Sequence, residues 1–329
     1  MSLILKEAIT GPAAWQGNEL ADDDSWICYL SAEVLSAIDA ALKNLTSHQL
    51  SFPHFSRADF PLAALTSDFR DYAAELEQGR GFILLRGLPV ERYSEAEINT
   101  IYYGLGLHLG TPVCQNPQGD LLGRVMNVGD PAKKETRVYE TNAYLPYHTD
   151  PSDVFGLLCV RQARQGGVNS LVSSAVVYNE ILAHYPEYLG IFYRPLWYAH
   201  LGDANVPGLS PIFSYYADKL SCRYLRQYIE LGHEQMNQSL SKVEIEALDL
   251  FDSIMHDQRF RLDMMLEPGD MLFANNYAVM HSRTRFEDFD SPEQRRKLLR
   301  LWLKMPNARR LAPDFPGRNG FPAPELPVK

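Results

Sequence analysis

Apolar residues recur at three- and four-residue intervals in five stretches of this chain and crowd into short unbroken runs in several others. Leu35, Ile38, Leu42 and Leu45 keep helical spacing behind Ser31, a residue suited to cap a helix N-terminus. A second helix is expected from about Pro61, with Leu65, Phe69, Tyr72 and Leu76 on one face and Gly79 as its stop. Ser94 and Glu97 make a capping box for a third, through Ile98, Ile101, Tyr102 and Leu105. Val177, Ile181, Leu182 and Tyr185 mark a helix over 174–186. Ser241 and Glu244 cap another over 241–256, with Ala247, Leu248, Phe251 and Ile254 inside.

The unbroken runs are too short for helices and are bounded by turn formers, so they predict buried strands. They are Gly81–Arg86, closed by Gly87 and Pro89; Val154–Val160; Ser170–Ser173, behind the turn Gln165-Gly166-Gly167; Met271–Ala274, behind Glu267-Pro-Gly-Asp270; and Arg296–Leu303. Ser221–Tyr224 is a further β-like run, after a Gly/Pro loop at 206–211. Between 111 and 145 turn formers dominate, with Asn127-Val-Gly-Asp130 and the charged Lys133-Lys134-Glu135, and a long loop is expected.

Short strands separated by helices predict a mainly β fold with flanking helices, a double-stranded β-helix or jelly roll. The helices at 174–186 and 241–256 would buttress its outside. One domain is expected over residues 1–329: a helical N-terminal scaffold at about 31–78, a jelly-roll core at about 79–304, and a Pro-rich tail at about 306–329 running over the surface. A dinucleotide-binding sheet is disfavoured, because no strand leads into a Gly-rich phosphate loop.

Composition narrows the choice of partner. Hydrophobic residues make up 46% of the chain, enough for a large core, and the net charge of −10 offers no polyanion-binding surface, so nucleic acid is not expected. Cys28, Cys114, Cys159 and Cys222 are scattered without metal-binding spacing and read as reduced thiols of a cytoplasmic protein. The N-terminus lacks a charged segment followed by a long apolar run, and no run of about 18 apolar residues occurs; neither a signal peptide nor a membrane-spanning helix is expected. The composition leaves room for a homo-oligomer.

The chemistry centres on Pro146-Tyr147-His148-Thr149-Asp150. On an extended strand His148 and Asp150 point to one face and can grip one metal ion, while Thr149 points away. Such a triplet arises readily by chance. It gains weight from a second stretch, Asn275-Asn276-Tyr277-Ala278-Val279-Met280-His281-Ser282-Arg283, which supplies a third donor, His281. Two histidines and a carboxylate make the facial triad of non-haem Fe(II) oxygenases, which leaves three coordination positions open. Zinc accepts the same donors, but a zinc hydrolase needs a general base that no motif provides. Arg296 and Arg300, four apart, share one face of a strand with Leu298 between them. A guanidinium holds a carboxylate through two parallel bonds, which suits a dicarboxylate bound end-on to a metal. Arg295 and Lys297, on the alternate face, read as surface charges. His48, His54 and His108 read as structural, and Tyr144, Tyr147 and Arg223 as either pocket or packing residues.

Taken together, His148-x-Asp150, Gly166-Gly167 with Ser170, Pro268-Gly-Asp270, Asn275-Asn276 before His281, and Arg295-Arg296-x-x-x-Arg300 resemble the taurine dioxygenase/clavaminate synthase-like family of Fe(II)- and 2-oxoglutarate-dependent oxygenases, from about Gly79 to Leu303. The resemblance implies that His148, Asp150 and His281 are iron ligands. It implies that Arg296 holds the far carboxylate of 2-oxoglutarate, assisted by Ser170, and that Arg300 contacts an anionic group of a small-molecule substrate. The exchanged assignment, Arg300 on the co-substrate, fits the same motif. The implied reaction consumes O2 and 2-oxoglutarate, releases succinate and carbon dioxide, and hydroxylates a C–H bond. Asp150 itself disfavours halogenation, since related halogenases carry a small residue there. A catalytically silent jelly-roll protein that binds a metabolite is the alternative; succinate formation separates the two.

Overall fold

Two mainly antiparallel sheets face each other across a buried layer of apolar side chains, and helices cover the outside of both. The computed structural model describes residues 3–129, 140–199 and 206–322. The larger sheet has seven strands, in the order Ile27–Tyr29, Phe82–Arg86, Met271–Asn275, Val154–Arg161, Lys297–Lys304 and Thr111–Pro112, with Leu122–Val125 also pairing Lys297–Lys304. Its first pair is parallel and the rest antiparallel. The smaller sheet has four strands, in the order Arg261–Met264, Asn169–Ser173, Val279–Arg283 and Leu145–His148. This is the expected jelly roll, without closure into a barrel.

Alternation along each strand separates the three cores. Phe82, Leu84, Phe155, Leu157, Cys159, Leu272, Ala274, Leu298 and Trp302 point inward from the large sheet and meet Leu171, Val279, Leu262 and Met264 of the small one. Their neighbours on the large sheet, among them Ile83, Leu85, Leu158, Phe273, Leu299 and Leu301, point outward into the N-terminal helices. Those helices are Ala32–Ser47, Thr66–Gln78 and Glu95–Leu109; Ser31 caps the first, and the Ser94/Glu97 box caps the third. On the small sheet Val172, Met280 and Tyr147 face outward beneath Ser174–His184 and Lys242–His256, the latter capped by the Ser241/Glu244 box. Both expected buttressing helices are therefore in place.

Four details depart from the sequence reading. The second helix begins at Thr66 after a short 3-10 turn, later than Pro61. The run at 221–224 forms its strand slightly earlier, as Lys219–Cys222. Lys297 is not a surface charge: it is buried and ion-paired with Glu95 on the Glu95–Leu109 helix. Finally, the tail is not merely draped over the surface. Phe315 is buried, stacks edge-on to Tyr277 and receives the Arg223 guanidinium on its face. Farther along, Gly320 donates to the Pro151 carbonyl, and Phe321 stacks on Trp302. The Lys133-Lys134-Glu135 stretch lies outside the described residues.

Candidate metal and anion site

His148 and His281 are direct cross-strand partners on the small sheet, where Val279–Arg283 runs antiparallel to Leu145–His148. Register therefore brings together two residues far apart in sequence, and their rings lie 4.1 Å apart between centroids. Asp150 follows just past the end of its strand. Its carboxylate oxygens lie 4.0 Å from His148 Nε2 and 3.8 Å from His281 Nε2. One donor atom from each of the three residues falls within 4.8 Å of the others. An ion with ligand bonds of about 2.0–2.2 Å can bridge that spread after a small contraction.

Local contacts hold each donor. His148 Nδ1 lies 2.8 Å from the Pro146 carbonyl, which can only accept; the ring proton therefore sits on Nδ1 and Nε2 keeps its lone pair. His281 is stacked on Phe155 at 3.9 Å. Trp302 donates its indole N–H to Asp150 Oδ2 at 3.0 Å. The Asp150 backbone N–H goes to Asn276 Oδ1, which accounts for one asparagine of the Asn275-Asn276 pair. Asn275 acts elsewhere, tying the sheet to the N-terminal scaffold through Leu76 O and Glu77 Oε2.

Electrostatics agree with a set of metal donors. Burial lowers the pKa of both histidines, and for His281 the neighbouring His148 adds to the effect, so both stay neutral. Burial opposes ionisation of Asp150, but the charge of Arg300, with smaller contributions from both histidines and Trp302, outweighs it and holds the carboxyl below its ordinary range. Neutral imidazoles and an ionised carboxylate are the states a cation requires.

Arg296 and Arg300 share the inner face of the large sheet, as their spacing predicts. Arg300 is held at two points by Gln115, a residue the sequence did not single out. Gln115 Oε1 accepts Arg300 Nε at 2.8 Å, and its Nε2 donates to the Arg300 carbonyl at 2.5 Å. Arg300 Nη1 then lies 3.6 Å from Asp150 Oδ1, and the guanidinium covers the Trp302 ring at 4.3 Å. Arg296 lies farther along and lines a cleft of about 200 Å³, open mouth included, together with Cys159, Gln162, Gly167, Asn169 and Leu298. Gly167 adopts φ +78°, and a Cβ there would stand 3.1 Å from Arg296 Nε, so glycine meets both a conformational and a spatial need.

Ser170 does not join them. In the antiparallel register His281 faces Leu171 and Ser282 faces Ser170, so Ser170 points away from the metal donors. Its hydroxyl bonds Tyr147 on the outer face of the small sheet, at 2.5 Å. Asn169, one residue earlier, lies on the inner face and lines the Arg296 cleft. A one-residue shift exchanges the faces of a strand, so Asn169 and not Ser170 faces inward. Tyr147 is thereby a packing residue, and Tyr144 is a half-exposed partner of His256. Arg223 is buried against Ser210 and Phe315.

Residues 42–302 match the model of the family described as Taurine catabolism dioxygenase TauD, TfdA family. An FR-33289 synthase of Streptomyces rubellomurinus (strain ATCC 31215) is 34% identical over 319 residues, which cover 93% of each chain. Among solved structures, the fold resembles an asparagine oxygenase in complex with Fe(II), 2S,3S-3-hydroxyasparagine and succinate, with a TM-score of 0.67 and 17% identity over 85% of this chain and 93% of that one. It also resembles the non-heme iron oxygenase OrfP in complex with Fe and alpha-ketoglutaric acid, with a TM-score of 0.62 and 15% identity over 84% and 94%. The matched span takes in His148, Asp150, His281, Arg296 and Arg300, and the chain belongs to the TauD/TfdA family of dioxygenases.

Proposed function

We propose that this chain is an Fe(II)- and 2-oxoglutarate-dependent dioxygenase that hydroxylates an unactivated C–H bond of a small anionic metabolite, such as an amino acid derivative or a sulfonate. The observation that carries the reading is the buried cage of His148, Asp150 and His281, with two guanidiniums on the facing sheet. His148 Nε2, His281 Nε2 and one Asp150 oxygen would hold the iron and leave the rest of its coordination sphere to small molecules. When bound, iron and 2-oxoglutarate supply the oxidising power: decarboxylation of the co-substrate to succinate and carbon dioxide accompanies transfer of one oxygen atom of O2 into the C–H bond.

The protein's own share is placement. Arg296 holds the far carboxylate of 2-oxoglutarate in the cleft, where a planar fork suits a planar anion. Arg300, pinned by Gln115 beside the metal donors, orients an anionic group of the prime substrate. The hydroxylated amino acid in the asparagine oxygenase complex supports a substrate of this class. Trp302 and Asn276 keep the Asp150 carboxylate aimed, and the buried walls exclude water from the reacting atoms.

The test begins without oxygen: Fe(II) plus 2-oxoglutarate should give a metal-to-ligand charge-transfer band that His148→Ala, Asp150→Ala and His281→Ala each abolish. In air, the enzyme should form succinate, and a mass-spectrometric screen of amino and sulfonic acids should find a product one oxygen heavier. A full-strength band in all three variants, or no succinate from the wild type with any substrate, would reject the reading.

A further inference from the structure

We infer that Arg283 is a second anion-holding guanidinium, paired with Arg296 on the distal carboxylate of the co-substrate. The inference rests on the co-substrate reading above. Arg283 ends the Val279–Arg283 strand two residues past His281, so it shares the inner face with that histidine, and it stands opposite Asn169 in the register. It is 3% exposed. Its Nη2 donates to the carbonyls of Thr141 and Ala143, at 3.0 and 2.5 Å, but its Nε and Nη1 are buried without a partner among the described residues.

Arg296 repeats the pattern. It is also 3% exposed, and its Nη1 is buried without an acceptor among the described residues. Both guanidiniums cover the same ring, Phe286, at 4.8 Å for Arg283 and 4.9 Å for Arg296. Asp288 lies beside Arg296, its Oδ1 accepting the Arg296 backbone N–H. Among the described residues these two buried guanidiniums stand against one carboxylate, a surplus of one positive charge. A guanidinium has five donors and no acceptor, so its unpaired N–H groups call for an acceptor such as a carboxylate.

The site selects by charge and shape. One carboxylate balances the surplus charge, and its two oxygens can meet two guanidinium edges. Gly167 and Asn169 line the cleft beside Arg296 in which it would sit. The Thr141 and Ala143 bonds use Nη2 alone, so tethering the chain before His148 does not account for the unused Nε and Nη1.

The test compares two 2-oxo acids on the intact protein with Fe(II), without oxygen, followed by the charge-transfer band. One is 2-oxoglutarate; the other is 2-oxopentanoate, which has a methyl group in place of the distal carboxylate. Arg283→Gln keeps an N–H donor for the Thr141 and Ala143 carbonyls but removes the charge. It should weaken 2-oxoglutarate by roughly tenfold or more while 2-oxopentanoate changes by less than about twofold. Arg283→Lys should fall between Gln and wild type. Equal losses for the two ligands would assign Arg283 to the tether alone, and no loss for either would leave it without a part in binding; both overturn the inference. If Arg296→Ala loses the preference for 2-oxoglutarate and Arg283→Gln keeps it, the inference fails and the co-substrate reading stands. A wild-type protein without that preference would overturn both.

Discussion

Asn276 takes the backbone N–H of Asp150 on its side-chain oxygen at 2.9 Å and returns two bonds to Ser152, to the carbonyl and to the hydroxyl, each at 3.0 Å. One buried amide thus sets the path of the chain as it leaves the first metal-binding strand. Asn276→Leu removes all three bonds without touching a metal donor. Fe(II) affinity, measured by chelator competition, is expected to fall by about 10–100-fold, the usual effect of losing an outer partner of a metal ligand. Unchanged affinity in a variant with native circular dichroism would show that Asp150 is aimed without it.

Arg296 and Arg300 should separate by ligand. Arg296→Ala leaves the far carboxylate of 2-oxoglutarate buried and short of its main partner, a loss of roughly 2–5 kcal/mol by analogy with truncated buried pairs. Arg300→Ala should weaken the prime substrate more than 2-oxoglutarate. Anaerobic 2-oxoglutarate affinities of the two variants decide the matter, and a larger loss in Arg300→Ala exchanges the roles.

The Pro268-Gly269-Asp270 turn is a structural device. Arg86 grips Asp270 with two bonds, at 2.9 and 2.8 Å, and the carboxylate, 1% exposed, also accepts the Glu267 N–H. Gly269 adopts φ +92°, and a Cβ there would meet the Leu88 carbonyl at 2.0 Å. Arg86→Met strands a buried charge and should cost about 3–5 kcal/mol in urea unfolding. A loss below about 1 kcal/mol would put this pair with ordinary surface pairs.

His108 should give the scaffold a pH dependence of its own. Its Nε2 donates to the Phe60 carbonyl at 2.7 Å, and its ring stacks on Phe69. Burial lowers its pKa despite that bond, with a smaller push in the same direction from Arg57. The unfolded chain therefore binds this proton at a higher pH than the folded one. The contribution to stability is complete above the ordinary histidine range and declines as pH falls through about 6.5 toward the folded value. Urea unfolding between pH 7.5 and 5.5 should show a steeper acid-side loss in wild type than in His108→Gln. Parallel curves would contradict this.

Local signals were readable in the chain, and non-local ones were not. Ser31, Ser94 with Glu97, and Ser241 with Glu244 announce helices because a cap and the N–H groups it satisfies lie within a turn of each other. The inner face shared by Arg296 and Arg300 followed from strand alternation alone. Ser170 failed because face assignment reverses with a single residue, and only the pairing with Val279–Arg283 fixes the count. Gln115 and Arg283 carried no signal, since their partners, Arg300 for one and Thr141, Ala143 and Phe286 for the other, are distant in the chain or unremarkable as types. Lys297 reads as solvent-facing charge because its partner Glu95 lies 202 residues earlier in the chain.

The direct pairing of His148 with His281 across two antiparallel strands makes any ion between them a cross-link as well as a reactant. Strands 133 residues apart in sequence would be clamped side by side, and the unfolded chain contains no such cage to compete for the ion. Binding free energy therefore becomes folding free energy, concentrated on the edge strand Leu145–His148 of the smaller sheet. A strand so placed is first to loosen when the ion leaves, and its amide hydrogens would report metal loading through their exchange rates before any turnover is measured.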